Sequence, residues 1–126
     1  AKKYEINSIF QLGYPQLTNL FELIKKKTKK TPIILNSSDI LCTPEDILSK
    51  LCNELHIPFY KEMLTWLPGA RESDGIWGKY WYGNVSKSTC FIPEDDNVEE
   101  IPIKYQYIYD ECMEHFQLMY RNRLQV

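Results

Sequence analysis

The sequence predicts an α/β protein that is mostly helical, and three neighbouring segments carry this prediction. Residues 14–29 repeat apolar side chains at three- and four-residue steps, which is typical of an amphipathic helix. Residues 33–36 are a short apolar run between Pro32 and a polar turn at 37–39, which is typical of a buried strand. A further helix begins near Pro44. A helix, a buried strand and a second helix in this order indicate the layers of an α/β protein.

The first predicted helix ends in a run of lysines. Lys25, Lys26 and Lys27 are followed by Lys29 and Lys30. Cations in the last turn of a helix complement its dipole, and each stabilises the helix by roughly 0.3–1 kcal/mol at an exposed site. We therefore interpret the run as a solvated helix end, in preference to an anion-binding site.

The second predicted helix has the clearest start signal in the chain. Thr43 can cap it, Pro44 suits its first position, and Glu45 and Asp46 supply acid to its first turn. An apolar stripe follows, formed by Ile47, Leu48, Leu51, Cys52 and Leu55. The helix is expected to end before Pro58, because the residue preceding a proline disfavours the helical region.

The rest of the chain divides into an irregular loop and a long helix. A short helical turn is predicted over residues 60–66. The loop 67–91 contains most of the glycines, two of the three tryptophans and no clean period, and irregular segments of this kind commonly build binding sites. An amphipathic helix is predicted over residues 103–124. We expect a single domain or a partial domain: a helix–strand–helix unit over 14–58, the loop over 67–91 and the C-terminal helix.

Composition excludes several classes of function. A net charge of -2 argues against nucleic acid as a partner, and no run approaches the roughly 20 apolar residues of a membrane span. The four cysteines form no CxxC pair, which indicates reduced thiols in an intracellular compartment that the sequence does not identify. Cys112 and His115 could share a helix face, but two ligands do not make a metal site, so no metal is predicted.

Two stretches carry a recognisable pattern. Residues 32–59 read as a strand, a turn, a proline-started helix and an LHIPF finish, with His56 where glycine is usual. Residues 63–91 contain MLTWLPGARESDGIWGKYWY and end in STCF, with Cys90 where glycine is common. Both stretches resemble the sulfotransferase-like family, which includes domains described as branched-chain aminotransferase-like. The resemblance is to the C-terminal half of such a protein, with a P-loop NTPase-like fold, one or few strands of which would lie in this chain.

The resemblance implies an activity and a set of binding residues. Sulfotransferases move a sulfuryl group from 3′-phosphoadenosine 5′-phosphosulfate (PAPS) to a hydroxyl or an amine, leaving 3′,5′-ADP (PAP). The loop 67–91 would fold over the nucleotide. The implied roles are Arg71 and then Lys79 as ligands of the 3′-phosphate, Gly69 and Gly75 as points of close backbone approach, and Trp77 and Trp81 as packing for the loop or cover for the adenine.

The residues themselves support an anion site at Arg71. Phosphate recognition needs a fixed cationic fork and exposed backbone N–H groups. The chain has only three arginines, so one inside a glycine- and tryptophan-rich loop is informative. The alternative interpretation is that Arg71 pairs with Glu72 or Asp74 at the surface and that the two tryptophans belong to the core.

The family's phosphate-binding loop has no counterpart in the sequence. No glycine-rich cradle with a basic residue follows a strand, and neither histidine matches a catalytic position. We therefore assign no catalytic residue and expect these 126 residues alone to be inactive. Two hypotheses remain: a sulfotransferase portion completed by an N-terminal half or another polypeptide, or a non-catalytic scaffold or interaction subunit of a larger complex. A third, an unrelated helical binding domain, leaves the loop 67–91 unexplained.

Overall fold

The computed structural model describes residues 5–94 and 100–126, and nearly all regular structure in these ranges is helical. The α-helices are α1 (Tyr14–Thr28), α2 (Ser37–Cys42), α3 (Pro44–Glu54), α4 (Gly78–Trp81) and α5 (Gln106–Arg121). Turns of 3₁₀-helix occupy Ile9–Leu12, Lys61–Leu64, Glu72–Asp74, Val85–Lys87 and Ile103–Tyr105. Across the same ranges, β pairing is confined to an antiparallel bridge between Thr65 and Cys90. No helix among the described residues is long and apolar enough to cross a membrane.

The chain forms two compact units, and the first contains described residues 5–36 and 100–124. Its core is built around Ile9, Ile108 and Cys112, against which Tyr14 and Tyr105 pack. α1 and α5 pack against each other, so the amphipathic periods predicted for residues 14–29 and 103–124 are both confirmed as helices.

A polar contact joins the two long helices of the first unit. The Thr18 hydroxyl and His115 Nδ1 lie 2.7 Å apart, and both side chains are partly buried. A hydrogen bond of this kind contributes about 0.5–1.5 kcal/mol, so the pair helps to hold α1 against α5.

The predicted strand at residues 33–36 is not present within the described residues. These residues belong to no helix or strand, and Ile33 and Leu35 are 41% and 39% exposed. A strand requires a ladder of hydrogen bonds to a neighbour. Within the part of the chain that the structure describes, the backbone of residues 33–35 makes one such bond, in which the Ile34 carbonyl accepts from the Leu124 N–H at 2.8 Å. The mostly helical character is therefore confirmed, whereas the α/β class is not.

The second unit contains described residues 37–94 and the last two residues. Ile47 and Cys52 of α3 are buried, as the apolar stripe predicts, but Leu55 is half exposed. Residues 37–39, predicted as a turn, instead begin α2. Pro44 occupies the first turn of α3 as predicted, but Thr43 makes no side-chain cap, since its hydroxyl donates to the Asp39 carbonyl at 3.2 Å.

The end of α3 explains the unusual position of His56. The His56 N–H donates to the Asn53 carbonyl at 3.1 Å, and the Ile57 N–H donates to the Cys52 carbonyl at 2.9 Å. These two bonds form a Schellman motif, in which the first residue after the helix is left-handed and is usually glycine. His56 adopts that conformation with φ of 56°. The helix therefore ends where glycine would be expected, with a histidine in its place.

Candidate functional site

The loop 67–91 is closed at its base by contacts between the segments that enter and leave it. Thr65 and Cys90 form the antiparallel bridge, and the Trp66 indole N–H donates to the Ser88 hydroxyl at 3.1 Å. The Trp66 ring also meets Phe91 edge-to-face, with ring centroids 5.1 Å apart. The base is therefore held by backbone, polar and aromatic contacts together.

A second tie lies inside the loop at Gly69. Its N–H donates to the Ser86 carbonyl at 2.7 Å, and the Ser86 N–H donates to the Tyr82 carbonyl at 2.7 Å. Gly69 has φ of 121°, a conformation that side-chain-bearing residues rarely adopt. The Gly69 N–H therefore bonds within the loop and is not offered to a ligand.

Arg71, Asp74 and Gly75 form a tight turn. The Asp74 carboxylate accepts from the Arg71 backbone N–H at 2.8 Å across the 3₁₀ turn Glu72–Asp74. Gly75 follows with φ of 68° and ψ of -177°, a region that is essentially restricted to glycine. Gly78 is buried, and a Cβ there would lie 2.8 Å from the Asp74 Cβ, so no larger residue fits without a shift.

A pocket of about 290 Å³ lies over this turn. Its lining includes two cationic side chains, Arg71 and Lys79, one carboxylate, Asp74, and the backbone of Gly75 and Gly83. The Asp74 carboxylate is already engaged by the Arg71 N–H. The pocket therefore presents more positive than negative charge, as an anion site requires.

The surface ion pair of Arg71, the alternative interpretation of that residue, is not found among the described residues. The salt bridge within the described ranges joins Lys61 to Glu45 at 3.6 Å, and no carboxylate there lies within ion-pair distance of the Arg71 guanidinium. Arg71 is exposed. Its cationic head is therefore available to a ligand in the pocket.

Trp77 and Trp81 lie on the outside of the loop and not in a core. They are 64% and 75% exposed, and Tyr80 between them is 68% exposed. These three rings, with Ile76 and Lys79, line a second pocket of about 510 Å³. The Lys79 ammonium lies 4.9 Å from the Tyr80 ring centroid, within cation–π range. Lys79 thus borders both pockets.

The structure brings together most of the residues singled out from the sequence. Arg71, Lys79 and Gly75 line the first pocket, and Lys79, Trp77 and Trp81 line the second. Gly69 lines neither and serves as a tie within the loop. Sequence reasoning missed the pocket-lining residues Gly78, Tyr82 and Ser86. Gly78 had a signal, since a glycine beside bulky aromatic residues often marks close packing. Tyr82 lies in the stretch that resembles the family, and Ser86 had no signal.

The cysteines and histidines do not converge. All four cysteines are free thiols, with Cys52 and Cys112 buried. Burial raises the pKa of the Cys112 thiol, with the nearby Glu111 charge adding to the effect. Across residues 5–94 and 100–126, no group of three or more histidine, cysteine or acidic side chains is arranged to hold a metal ion.

Comparison with known proteins identifies the family. A family profile described as a sulfotransferase domain matches residues 24–120, a range that includes the whole loop 67–91. The chain is 28% identical over 119 residues to branched-chain-amino-acid aminotransferase-like protein 2 of Arabidopsis thaliana, covering 94% of this chain and 21% of that protein. It is 30% identical over 113 residues to protein 1 of the same name and organism, covering 89% and 20%.

The chain thus spans about a fifth of the length of the curated relatives it matches. No solved structure matches it significantly. Because the family profile covers well over half of the chain, and both pockets lie within the matched range, the chain belongs to the sulfotransferase-domain family.

Proposed function

We propose that this chain supplies the nucleotide-covering part of a sulfotransferase that uses PAPS, with the phosphosulfate site supplied by further polypeptide. The observation that carries the proposal is the convergence of Arg71, Lys79 and the Gly75 backbone on one pocket. That pocket lies in a chain of the sulfotransferase-domain family. Each of the three groups is of a type that recognises phosphate.

The chemistry of the first pocket suits the 3′-phosphate of the nucleotide. A guanidinium binds phosphate through two parallel N–H bonds, and an ammonium adds a point charge. The left-handed turn at Gly75 leaves backbone uncovered by a Cβ beside these two cations. The volume of about 290 Å³ accommodates a phosphate with part of its ribose.

The chemistry of the second pocket suits the adenine base. Trp77, Tyr80 and Trp81 offer exposed rings on which a base can stack, at roughly 1–3 kcal/mol for each stacked base. Lys79 borders both pockets, so one ligand could present a phosphate to the first pocket and a base to the second. A nucleotide with a 3′-phosphate has both groups.

The role proposed for this chain is binding and orientation. In the reaction, the sulfuryl group leaves PAPS for a hydroxyl or amine acceptor, and PAP remains. Arg71 and Lys79 would hold the end of the nucleotide that does not react. Holding a non-reacting group lowers the barrier by fixing the geometry of the reacting one.

Calorimetric titration of PAP tests the proposal. The titrated protein, called the assembly below, is this chain together with the polypeptide that supplies the phosphosulfate site. Loss of a charge-assisted hydrogen bond costs about 1.5–3 kcal/mol, so Arg71→Ala is expected to weaken PAP binding by roughly 10- to 150-fold. Titration of 5′-AMP, which lacks the 3′-phosphate, provides the comparison. If Arg71 reads that phosphate, the substitution leaves the affinity for 5′-AMP nearly unchanged.

Lys87→Ala is the matched control variant. Lys87 is an exposed cation of the same loop that lies outside the lining of both pockets. The substitution Lys87→Ala removes one positive charge from the loop, as Arg71→Ala does. Comparing the two variants therefore separates a specific contact from a general electrostatic effect. The proposal is wrong if the assembly binds no PAP, or if Arg71→Ala and Lys87→Ala weaken PAP binding equally.

A second candidate function is that of a non-catalytic scaffold or interaction subunit. It is favoured by the exposure of large apolar side chains on the loop, where Leu67 is 85% and Ile76 is 77% exposed. Exposed apolar patches commonly mark protein–protein contacts. A stable complex that forms through these residues and binds no PAP would support the scaffold over the enzyme.

A further inference from the structure

The carboxylate of Asp74 is a feature of the first pocket that anion binding does not explain. Asp74 is the acidic side chain of a lining that also contains Arg71 and Lys79. A carboxylate repels a phosphate at short range, so it weakens an anion site unless it binds another group of the same ligand. Its hydrogen bond to the Arg71 N–H does not require the charge, since an asparagine oxygen would accept that bond as well.

The position of the Asp74 side chain is fixed before any ligand binds. The Asp74 N–H donates to the Arg71 carbonyl at 3.0 Å, and Asp74 Oδ2 accepts from the Arg71 N–H at 2.8 Å. The side chain also packs against Gly78, where a Cβ would lie 2.8 Å from the Asp74 Cβ. A side chain that is already held in place loses little conformational entropy when it binds a ligand.

The second carboxylate oxygen, Asp74 Oδ1, accepts no hydrogen bond from residues 5–94 or 100–126. Within the same ranges, neither the Arg71 guanidinium nor the Lys79 ammonium lies within ion-pair distance of the carboxylate. Asp74 is half-buried and lines the pocket. An ionised carboxylate accepts through both oxygens, so Oδ1 keeps its capacity to accept from a hydroxyl of a ligand.

We infer that Asp74 Oδ1 accepts a hydrogen bond from the ribose 2′-hydroxyl of the bound nucleotide, so that Asp74 makes the site specific for ribonucleotides. The 2′-hydroxyl lies on the carbon next to the one that carries the 3′-phosphate. A phosphate held by Arg71 and Lys79 therefore brings this hydroxyl into the pocket that Asp74 lines. Acidic side chains recognise the ribose 2′-hydroxyl in the same way in dinucleotide-binding folds. The inference rests on the proposed function, because it requires the 3′-phosphate in this pocket.

The ratio of two affinities tests the inference. The assembly is titrated by calorimetry with PAP and with 2′-deoxy-PAP, two ligands that differ in the 2′-hydroxyl alone. A hydrogen bond to a charged group corresponds to roughly tenfold in affinity or more, so the parent protein is expected to bind PAP at least about tenfold more tightly than 2′-deoxy-PAP.

Asp74→Asn assigns this preference to the residue. The asparagine oxygen can accept from the Arg71 N–H, which leaves the uncharged amide N–H₂ group for the ribose. The preference for PAP is therefore expected to fall to about threefold or less. Glu72→Gln is the matched control, because Glu72 is an exposed acid of the same turn that lies outside the lining of both pockets. This control is expected to keep the preference of the parent.

The outcomes separate this inference from the proposed function. Equal affinities of the parent for PAP and 2′-deoxy-PAP would overturn this inference alone, since PAP binding would still support the proposed function. An unchanged preference in Asp74→Asn would also overturn it, because another group would then bind the hydroxyl. Absence of PAP binding would overturn both. A uniform loss of affinity in Asp74→Asn leaves the ratio unchanged, so a disturbed turn does not imitate the expected result.

Discussion

Replacing His56 by glycine is expected to stabilise the protein. His56 is left-handed, with φ of 56°, and it ends α3 in a Schellman motif. The left-handed conformation costs a side-chain-bearing residue roughly 1–2 kcal/mol. Glycine avoids that cost but brings about 0.5–1 kcal/mol of extra freedom in the unfolded chain. The net gain expected for His56→Gly is therefore about 0.5–1 kcal/mol.

Urea unfolding followed by circular dichroism measures this gain. In thermal unfolding, the expected rise in Tm for a chain of this length is about 2–4 °C. His56→Ala is the matched control, because alanine removes the imidazole but keeps a Cβ in the strained conformation. Since His56 is exposed, little packing is lost in either variant. His56→Ala is expected to be no more stable than the parent chain.

The free energies of unfolding of the two variants together separate backbone conformation from the imidazole as the cause. A gain in His56→Gly alone identifies backbone conformation as the cause. A free energy of unfolding in His56→Gly at or below that of the parent would show that the left-handed conformation of His56 costs nothing. Equal gains in both variants would refute backbone conformation as the cause, since they would show that the imidazole itself is unfavourable.

Three further predictions concern the loop and the thiols. Gly75→Ala places a Cβ in a backbone region restricted to glycine, so it should lower the free energy of unfolding by about 1–3 kcal/mol, measured by urea unfolding, and weaken PAP binding, measured by calorimetry. A variant as stable as the parent would contradict the turn assigned to Gly75. Burial raises the pKa of the Cys112 thiol, so its contribution to stability is complete below the ordinary thiol pKa and is lost as the pH rises through the raised one. Cys112→Ala should therefore lose less stability than the parent between about pH 7 and pH 10; an equal loss would contradict this. In the native chain, a thiol reagent at neutral pH should modify the exposed Cys42 well before the buried Cys52 and Cys112, and equal rates in mass spectrometry would count against the fold of both units.

The helices could be predicted because their signals are local. The three- and four-residue periods of α1 and α5, and the proline at the start of α3, depend on residues within the same few turns. The helical start at Ser37 escaped prediction because serine and aspartate favour turns as well as helix starts. The strand predicted at 33–36 rests on an apolar run between Pro32 and a polar turn, although a strand also depends on neighbours that a local pattern does not reveal.

The site could be predicted in part for a similar reason. Arg71 and Lys79 stand out as cations in a glycine-rich loop, and the structure brings both to one pocket. Tyr82 and Ser86 reach that pocket only because the loop folds back on itself through Gly69. No spacing in the sequence encodes that return, so the place of these two residues in the pocket could be found only from the structure.

The pairing of Thr65 with Cys90 has a consequence for how this region can diversify. Because the two ends of the intervening segment meet, residues can be added or removed between them without moving either end. The entropy of closing a flexible segment rises slowly with its length, by about 0.6 kcal/mol for each doubling. Evolution could therefore lengthen this stretch outside its glycine turns at small thermodynamic cost, and so alter what it recognises while Thr65 and Cys90 stay paired.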